Sequence, residues 1–182
     1  MRYELIIAGM GGQGILLAGN VLGTAAAVFQ GLEAVQIVSY GPEARGGRVF
    51  TELIISDEEI DYPRVLRPDI VITMSQRAYD EFGTAVAQGG LLIYDPGLVV
   101  PEEREDVKLI PIPATEMAEK LGARISANMV MLGALTALCD LLKPEAVEQA
   151  IKTKVRRGLE VNLRAFRIGY EAGLRWLEET RR

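Results

Sequence analysis

Tyr3-Glu4-Leu5-Ile6-Ile7-Ala8, running straight into Gly9-Met10-Gly11-Gly12-Gln13-Gly14, decides the fold. The first six residues read as a short buried strand. The next six place glycines in a G-x-G-x-x-G spacing at Gly9, Gly11 and Gly14, with a further glycine at Gly12. Glycine lets the backbone turn tightly and approach other groups closely. Beyond the turn, Ile15, Ala18, Leu22, Ala25 and Phe29 recur at three- and four-residue steps, so residues 13–30 read as a helix with one apolar face. A strand, a glycine turn and a helix make the opening unit of an α/β domain. The free N–H groups and the positive dipole end at such a helix start favour an anion or phosphate.

The rest of the chain continues in the same manner. Strands are expected at residues 34–39, 48–55, 70–73 and 91–94, with an edge strand at 107–110 closed by Pro111 and Pro113. Residues 75–88 read as a helix with Ser75 as N-cap. The last third is helical: one helix over 126–142, a second opened by Pro144, and a third over 159–180. The expected fold is α/β, a three-layer, mostly parallel Rossmann-like sheet with helices on both faces and a helical C-terminal third. No repeat, linker or low-complexity segment divides the chain, so residues 1–182 are expected to form one domain. The final helix carries two apolar stripes. Leu159, Leu163, Phe166, Tyr170, Leu174 and Leu177 form one, and Val161, Ala165, Ile168, Ala172 and Trp176 the other. Two stripes imply cover on both sides, by a helix of this chain or by a partner subunit.

Composition excludes several functions. A net charge of −5 argues against a general nucleic-acid binder. No apolar run is long enough to span a membrane. The N-terminal apolar run behind Arg2 is too short for a signal peptide, and the protein is expected in the cytoplasm. There is one cysteine, Cys139, and no histidine. One thiol holds no iron–sulfur cluster, and a zinc site without histidine would need an all-carboxylate shell. Ser-His and Cys-His catalytic pairs are absent too. Any chemistry this protein serves must therefore sit largely on another chain or on a cofactor. Cys139 lies in an apolar run and reads as a core residue.

A dinucleotide loop requires an acidic residue at the end of the second strand for the ribose hydroxyl. Here that strand ends at Val38-Ser39-Tyr40, and Glu33 stands at its other end. A Walker-type loop fails because Gly-Lys-Ser/Thr is missing. The glycines then serve either an anion or close helix–sheet packing.

Ser39-Tyr40-Gly41-Pro42-Glu43-Ala44-Arg45-Gly46-Gly47-Arg48 leaves the same strand end, beside the first loop. Open α/β sheets bind ligands beyond their strand C-termini. Arg45 and Arg48 are cations suited to phosphate or carboxylate, and Tyr40 offers a flat face. A third segment, Asn128-Met129-Val130-Met131-Leu132-Gly133-Ala134-Leu135, is an apolar helix whose buried Asn128 must find partners.

In this order and spacing the three segments resemble the gamma subunit of the 2-oxoacid:ferredoxin (acceptor) oxidoreductases. The resemblance covers essentially the whole chain and looks closest to the stand-alone subunit of the 2-oxoglutarate type. The equivalent in single-chain pyruvate:ferredoxin oxidoreductases is an internal domain. It implies oxidative decarboxylation of a 2-oxoacid to acyl-CoA and carbon dioxide, with electrons passing to ferredoxin. It implies partner alpha and thiamine-binding beta subunits, with a ferredoxin-like delta subunit as a further candidate. Thiamine diphosphate, magnesium and iron–sulfur clusters belong on those other subunits, and coenzyme A is the co-substrate. Gly9, Gly11, Gly12, Gln13 and Gly14 match the family's glycine loop. Tyr40, Gly41, Glu43, Arg45, Gly46 and Gly47 match its second motif, and Asn128 its third. Ser39 and Arg48 flank the second motif and complete the candidate binding set; no residue is assigned a catalytic role. Two roles stay open for these loops: part of the coenzyme A approach, or the interface that docks this chain on the catalytic pair. Self-association of the isolated chain is a further possibility. The rival reading is an NAD- or nucleotide-binding Rossmann-type module unrelated to such a complex.

Overall fold

The computed structural model describes residues 1–43 and 45–182. Six strands form one sheet: β1 Arg2–Met10, β2 Glu33–Tyr40, β3 Arg48–Ser56, β4 Ile70–Thr73, β5 Leu91–Tyr94 and β6 Lys108–Pro111. Their order across the sheet is β2-β3-β1-β4-β5-β6. β1, β4, β5 and β6 pair in parallel, while β3 runs antiparallel to both β1 and β2. The sheet is mostly parallel, as its apolar strands imply, with β3 the one reversed strand of these six. The reversal follows from the connection. Residues 41–47 join β2 to β3 as a hairpin, too short for the crossover that a parallel neighbour needs.

Both faces of the sheet are covered. Leu5 and Ile7 of β1 point into one apolar cluster, and Ile6 and Ala8 into another. Alternate residues are thus buried on opposite sides, which is why β1 reads as an unbroken apolar run. The larger cluster takes in α1 Ile15–Thr24, α3 Ala114–Lys120, α4 Ala127–Leu138, α5 Pro144–Lys154 and α6 Leu159–Thr180. The smaller is closed by Ala78 and Tyr79 of α2 Gln76–Phe82, with Val86, Val99 and Val107.

Several boundaries differ from expectation. The helix expected over 13–30 starts only at Ile15, because Gly14 is left-handed at φ 73, and it ends in a π turn over Ala25–Phe29. Ser75 does cap α2, accepting from the Ala78 N–H at 3.1 Å. That helix stops at Phe82, however, and only one 3₁₀ turn, Gly83–Ala85, follows. The helix expected over 126–142 stops at Leu138, where Cys139 is extended and its thiol reaches back to the Leu135 carbonyl at 3.2 Å. α3 was not foreseen. It is two turns long and sits behind Pro113, with only Ala114 and Ala118 buried, too weak a period to separate from a loop.

The two stripes of α6 are also resolved differently. Gly169 and Gly173 lie between them and are buried with Ala165 and Phe166, so both stripes border one broad apolar face. That face packs on α4, which is buried throughout Ala127–Thr136. The two backbones meet directly. A Cβ on Gly133 of α4 would strike the Phe166 carbonyl, and one on Gly169 would strike the Val130 carbonyl. One helix of this chain therefore covers the inner part of both stripes. Leu174 at the far end stays 40% exposed.

Candidate functional site

The glycine loop leaves β1 at Met10 and is braced on three sides. The Gly11 N–H donates to the Gly47 carbonyl at 2.7 Å, tying it to the hairpin. A Cβ on Gly11 would lie only 3.0 Å from the Gly46 nitrogen, so a side chain here would push the hairpin backbone away. The Gln13 side chain folds back over the turn. Its Oε1 accepts from the Met10 N–H and its Nε2 donates to the Met74 carbonyl, both at 2.7 Å. A side chain on Gly9 would collide with that amide. Asn128 supplies the third brace. Its Nδ2 donates to the Gly14 carbonyl at 3.1 Å, and its Oδ1 accepts from the Met129 N–H at 2.9 Å. Both amides are thus engaged by the protein itself.

Gln13 also occupies part of the place where a dinucleotide usually sits. In this strand order the switch point lies between β1 and β4, where a Rossmann fold would receive its cofactor. Gln13 spans that gap by bonding Met74, directly beyond β4. The crevice left beside it, lined by Gly12, Gln13, Met74 and Leu98, has a volume of about 290 Å³, at the small end for a ligand pocket. The end of β2 offers only half-buried Ser39 and exposed Tyr40, with no acid.

The hairpin has its own internal order. The Glu43 carboxylate folds over Gly41 and Gly47, where any side chain would collide with it, and pairs with Arg77 of α2 at 2.9 Å. A backbone hydrogen bond, and then the Arg77 guanidinium, hold the Glu43 carboxyl below the usual carboxylate range. Arg48 pairs with Glu81 of α2, and its guanidinium lies 5.5 Å from the centre of the Phe50 ring. Of the two arginines singled out from the sequence, Arg48 is therefore neutralised. Arg45 is exposed and has no ion-pair partner among the described residues. Ala44 lies outside the described residues.

On the other side of the glycine loop lies a cavity of about 990 Å³. Gly11, Gly12, Gly14, Tyr40 and Asn128 line it. Gly9, Gln13, Ser39, Gly41, Glu43, Arg45, Gly46, Gly47 and Arg48 do not. The opposite wall was missed from the sequence. It is the α5–α6 connection, which brings Lys154, Arg156 and Arg157 to the cavity. The signal was present as the charge run Lys152-Thr153-Lys154-Val155-Arg156-Arg157 before Gly158. Nothing in the spacing says that α6 returns this run to the first loop, over one hundred residues back.

Among the described residues no group of His, Cys, Asp and Glu side chains is arranged to hold a metal ion, and no helix is long and apolar enough to cross a membrane. Burial pushes the Cys139 thiol up to about 11, so it is not a nucleophile near neutral pH.

Comparison with known proteins follows the same outline. Residues 4–172 match the family model described as pyruvate ferredoxin/flavodoxin oxidoreductase. The 2-oxoglutarate synthase subunit KorC of Methanocaldococcus jannaschii is 48% identical over 175 residues, covering 94% of each chain. The keto/oxoacid ferredoxin oxidoreductase gamma subunit of Geobacter sulfurreducens superposes with a TM-score of 0.84 at 36% identity, over 95% of this chain and 99% of that one. A 2-oxoglutarate:ferredoxin oxidoreductase chain from Magnetococcus marinus, solved with 2-oxoglutarate, coenzyme A and succinyl-CoA bound, gives a TM-score of 0.85 at 27% identity. The match covers 94% of this chain but only 31% of that one. These similarities give no support to an unrelated NAD-binding module.

Proposed function

The chain belongs to the pyruvate ferredoxin/flavodoxin oxidoreductase family, and from that premise we infer that it works as the gamma-type subunit of a heteromeric 2-oxoacid:ferredoxin oxidoreductase. The substrate is 2-oxoglutarate, and the complex converts it to succinyl-CoA and carbon dioxide while reducing ferredoxin. The observation that carries this reading is identity to 2-oxoglutarate synthase subunits along 94% of both chains. The donor set agrees. One cysteine and no histidine do not fit an iron–sulfur cluster, so cluster, thiamine diphosphate and magnesium belong to alpha, beta and ferredoxin-like delta partners. The whole chain acts as one unit in the cytoplasm.

Within the complex, the end of the sheet that carries the glycine loop and the hairpin faces the catalytic pair. Exposed apolar residues gather at this end: Tyr40 at 64%, Ile125 at 73% and Val100 at 78% exposure. Such uncovered residues on one rim suit a docking surface. Arg45, without an ion-pair partner among the described residues, is the hairpin's available cation toward an anionic co-substrate. The test is an oxoacid panel on the complex assembled from this chain with its alpha and beta partners. 2-Oxoglutarate should be oxidised with a kcat/KM well above those of pyruvate, 2-oxoisovalerate and indolepyruvate. A preference for any of the other three would overturn the substrate assignment.

A further inference from the structure

The two edges of the sheet are built differently. β6 at one edge is four residues long and carries Lys108 and Pro111, a charge and a missing donor that blunt an exposed strand. β2 at the other edge runs for eight residues, Glu33–Tyr40, without lysine or proline. The Gly41 N–H donates to the Arg48 carbonyl at the end of the antiparallel β2–β3 pair, which fixes the alternation. Odd-numbered residues of β2 bond β3, and Ala34, Gln36, Val38 and Tyr40 turn their backbone N–H and C=O groups outward. No hydrogen bond reaches those groups among the described residues. Beside this edge a groove of about 220 Å³ runs between β2 and α1 with its π turn, and none of its lining residues is charged. Thr24, Ala27 and Val28 form one wall, Ala34 and Gln36 the other. Val28 stands 68% exposed. The whole flank is depleted of charge: residues 13–42 contain one charged side chain, Glu33, although 25% of the chain is charged. A long undefended strand edge with an uncharged flank is the kind of surface that another strand covers.

We propose that the β2 edge joins two copies of this chain, β2 against β2 in antiparallel pairing about a two-fold axis at Gln36, so that one continuous sheet crosses the pair. The strand is self-complementary in this register. Outward-turned residues must meet outward-turned residues, and the two-fold does this by setting Ala34 opposite Val38 and Gln36 opposite Gln36 of the second copy. Val35 meets Ile37 on the other face, a β-branched cross-strand pair. Glu33, the one charge of the strand, meets Ser39, which keeps the two Glu33 carboxylates about 20 Å apart. The two uncharged α1 flanks then stand on the same side of the joined sheet. The hairpin begins at Gly41, beyond the paired residues 33–39. The chemistry of this edge is independent of the gamma-subunit reading.

The experiment is sedimentation velocity of the full chain over a dilution series. The chain should sediment as a dimer when concentrated and dissociate reversibly on dilution. Val38→Pro removes an N–H that points outward, a change that an edge strand tolerates. It should raise the dimer dissociation constant by roughly tenfold or more, because the bond is lost twice in a symmetric pair. Val28→Glu, at an exposed position, sets a charge on each flank and should weaken the dimer as well. Cysteines test the register in a Cys139→Ala background. Gln36→Cys, with its Cα about 5.5 Å from that of the second copy, should crosslink under mild oxidation, whereas Glu33→Cys should not. A monomer at every concentration, a dimer indifferent to both Val28→Glu and Val38→Pro, or a dimer that crosslinks through Glu33→Cys and not through Gln36→Cys overturns the proposal. A chain that is monomeric alone, and whose assembly with alpha and beta partners is abolished by Val28→Glu, gives the edge to a strand of the complex and overturns it too. The dilution series uses the unaltered chain, so a misfolded variant does not remove the test. Co-purification of the native chain with alpha and beta subunits separates the two readings. Dimerisation without such assembly leaves the edge pairing standing and removes the subunit assignment alone.

Discussion

At the scale of single residues, the side chains marked by the sequence divide into braces and free groups. Gln13 and Asn128 are braces, because each amide already spans two backbone positions. Gln13→Ala removes two hydrogen bonds and leaves a half-buried carbonyl and N–H unpaired. It should destabilise the fold by about 1–3 kcal/mol in urea unfolding; a change below about 0.5 kcal/mol would show that solvent replaces both bonds without penalty. Arg45 has no ion-pair partner among the described residues, so Arg45→Ala should leave stability unchanged and raise the KM for coenzyme A in the assembled complex. Dissociation of the complex would place Arg45 in the subunit interface instead. Cys139 gives a pH test. Its folded value of about 11 lies above the ordinary 9.0 because burial disfavours the thiolate. The resulting stability is fully present below pH 9 and is lost as pH rises toward 11. Unfolding measured across that window should show a steeper loss in the native chain than in Cys139→Ala. Parallel curves would mean that the thiol titrates normally in the fold.

At the scale of elements, the strands were legible and the ends of helices were less so. β4, β5 and α6 fall where their apolar patterns put them, because the pattern and the packing agree there. α3 escaped because two buried alanines do not make a visible period. The two stripes of α6 did not read as borders of one face because glycine carries no hydrophobic signal, although Gly169 and Gly173 form the centre of its buried face. That contact is directly testable. Gly169→Ala forces a methyl group into the Val130 carbonyl and should destabilise by about 1–3 kcal/mol or more. Gly23→Ala is the control. It lies in α1, and its Cβ would meet only Leu53 Cδ1, at an ordinary 3.6 Å. There, alanine should stabilise by roughly 0.5–1 kcal/mol through its better helix propensity. Equal effects at the two positions in thermal or urea unfolding would contradict the close approach of α4 and α6.

At the scale of the whole molecule, sequence places the glycine loop and the hairpin at the same edge of the sheet, since both leave the C-terminal ends of the parallel strands β1 and β2, with only β3 between them. It does not reveal the cationic linker that closes the cavity opposite them. That wall depends on how α5 and α6 fold back over the sheet, a long-range arrangement that local patterning leaves unspecified. The missing acid at the end of β2 was readable, whereas the bridging of the switch point by Gln13 was not. What this chain does is best tested by leaving it out. Alpha and beta partners expressed with and without it should be compared for 2-oxoglutarate- and coenzyme A-dependent reduction of ferredoxin. The expected result is a stable complex containing this chain, with activity lost on its omission and restored on its addition. Full activity of the alpha–beta pair alone, with this chain eluting separately, would contradict its assignment as the gamma-type subunit.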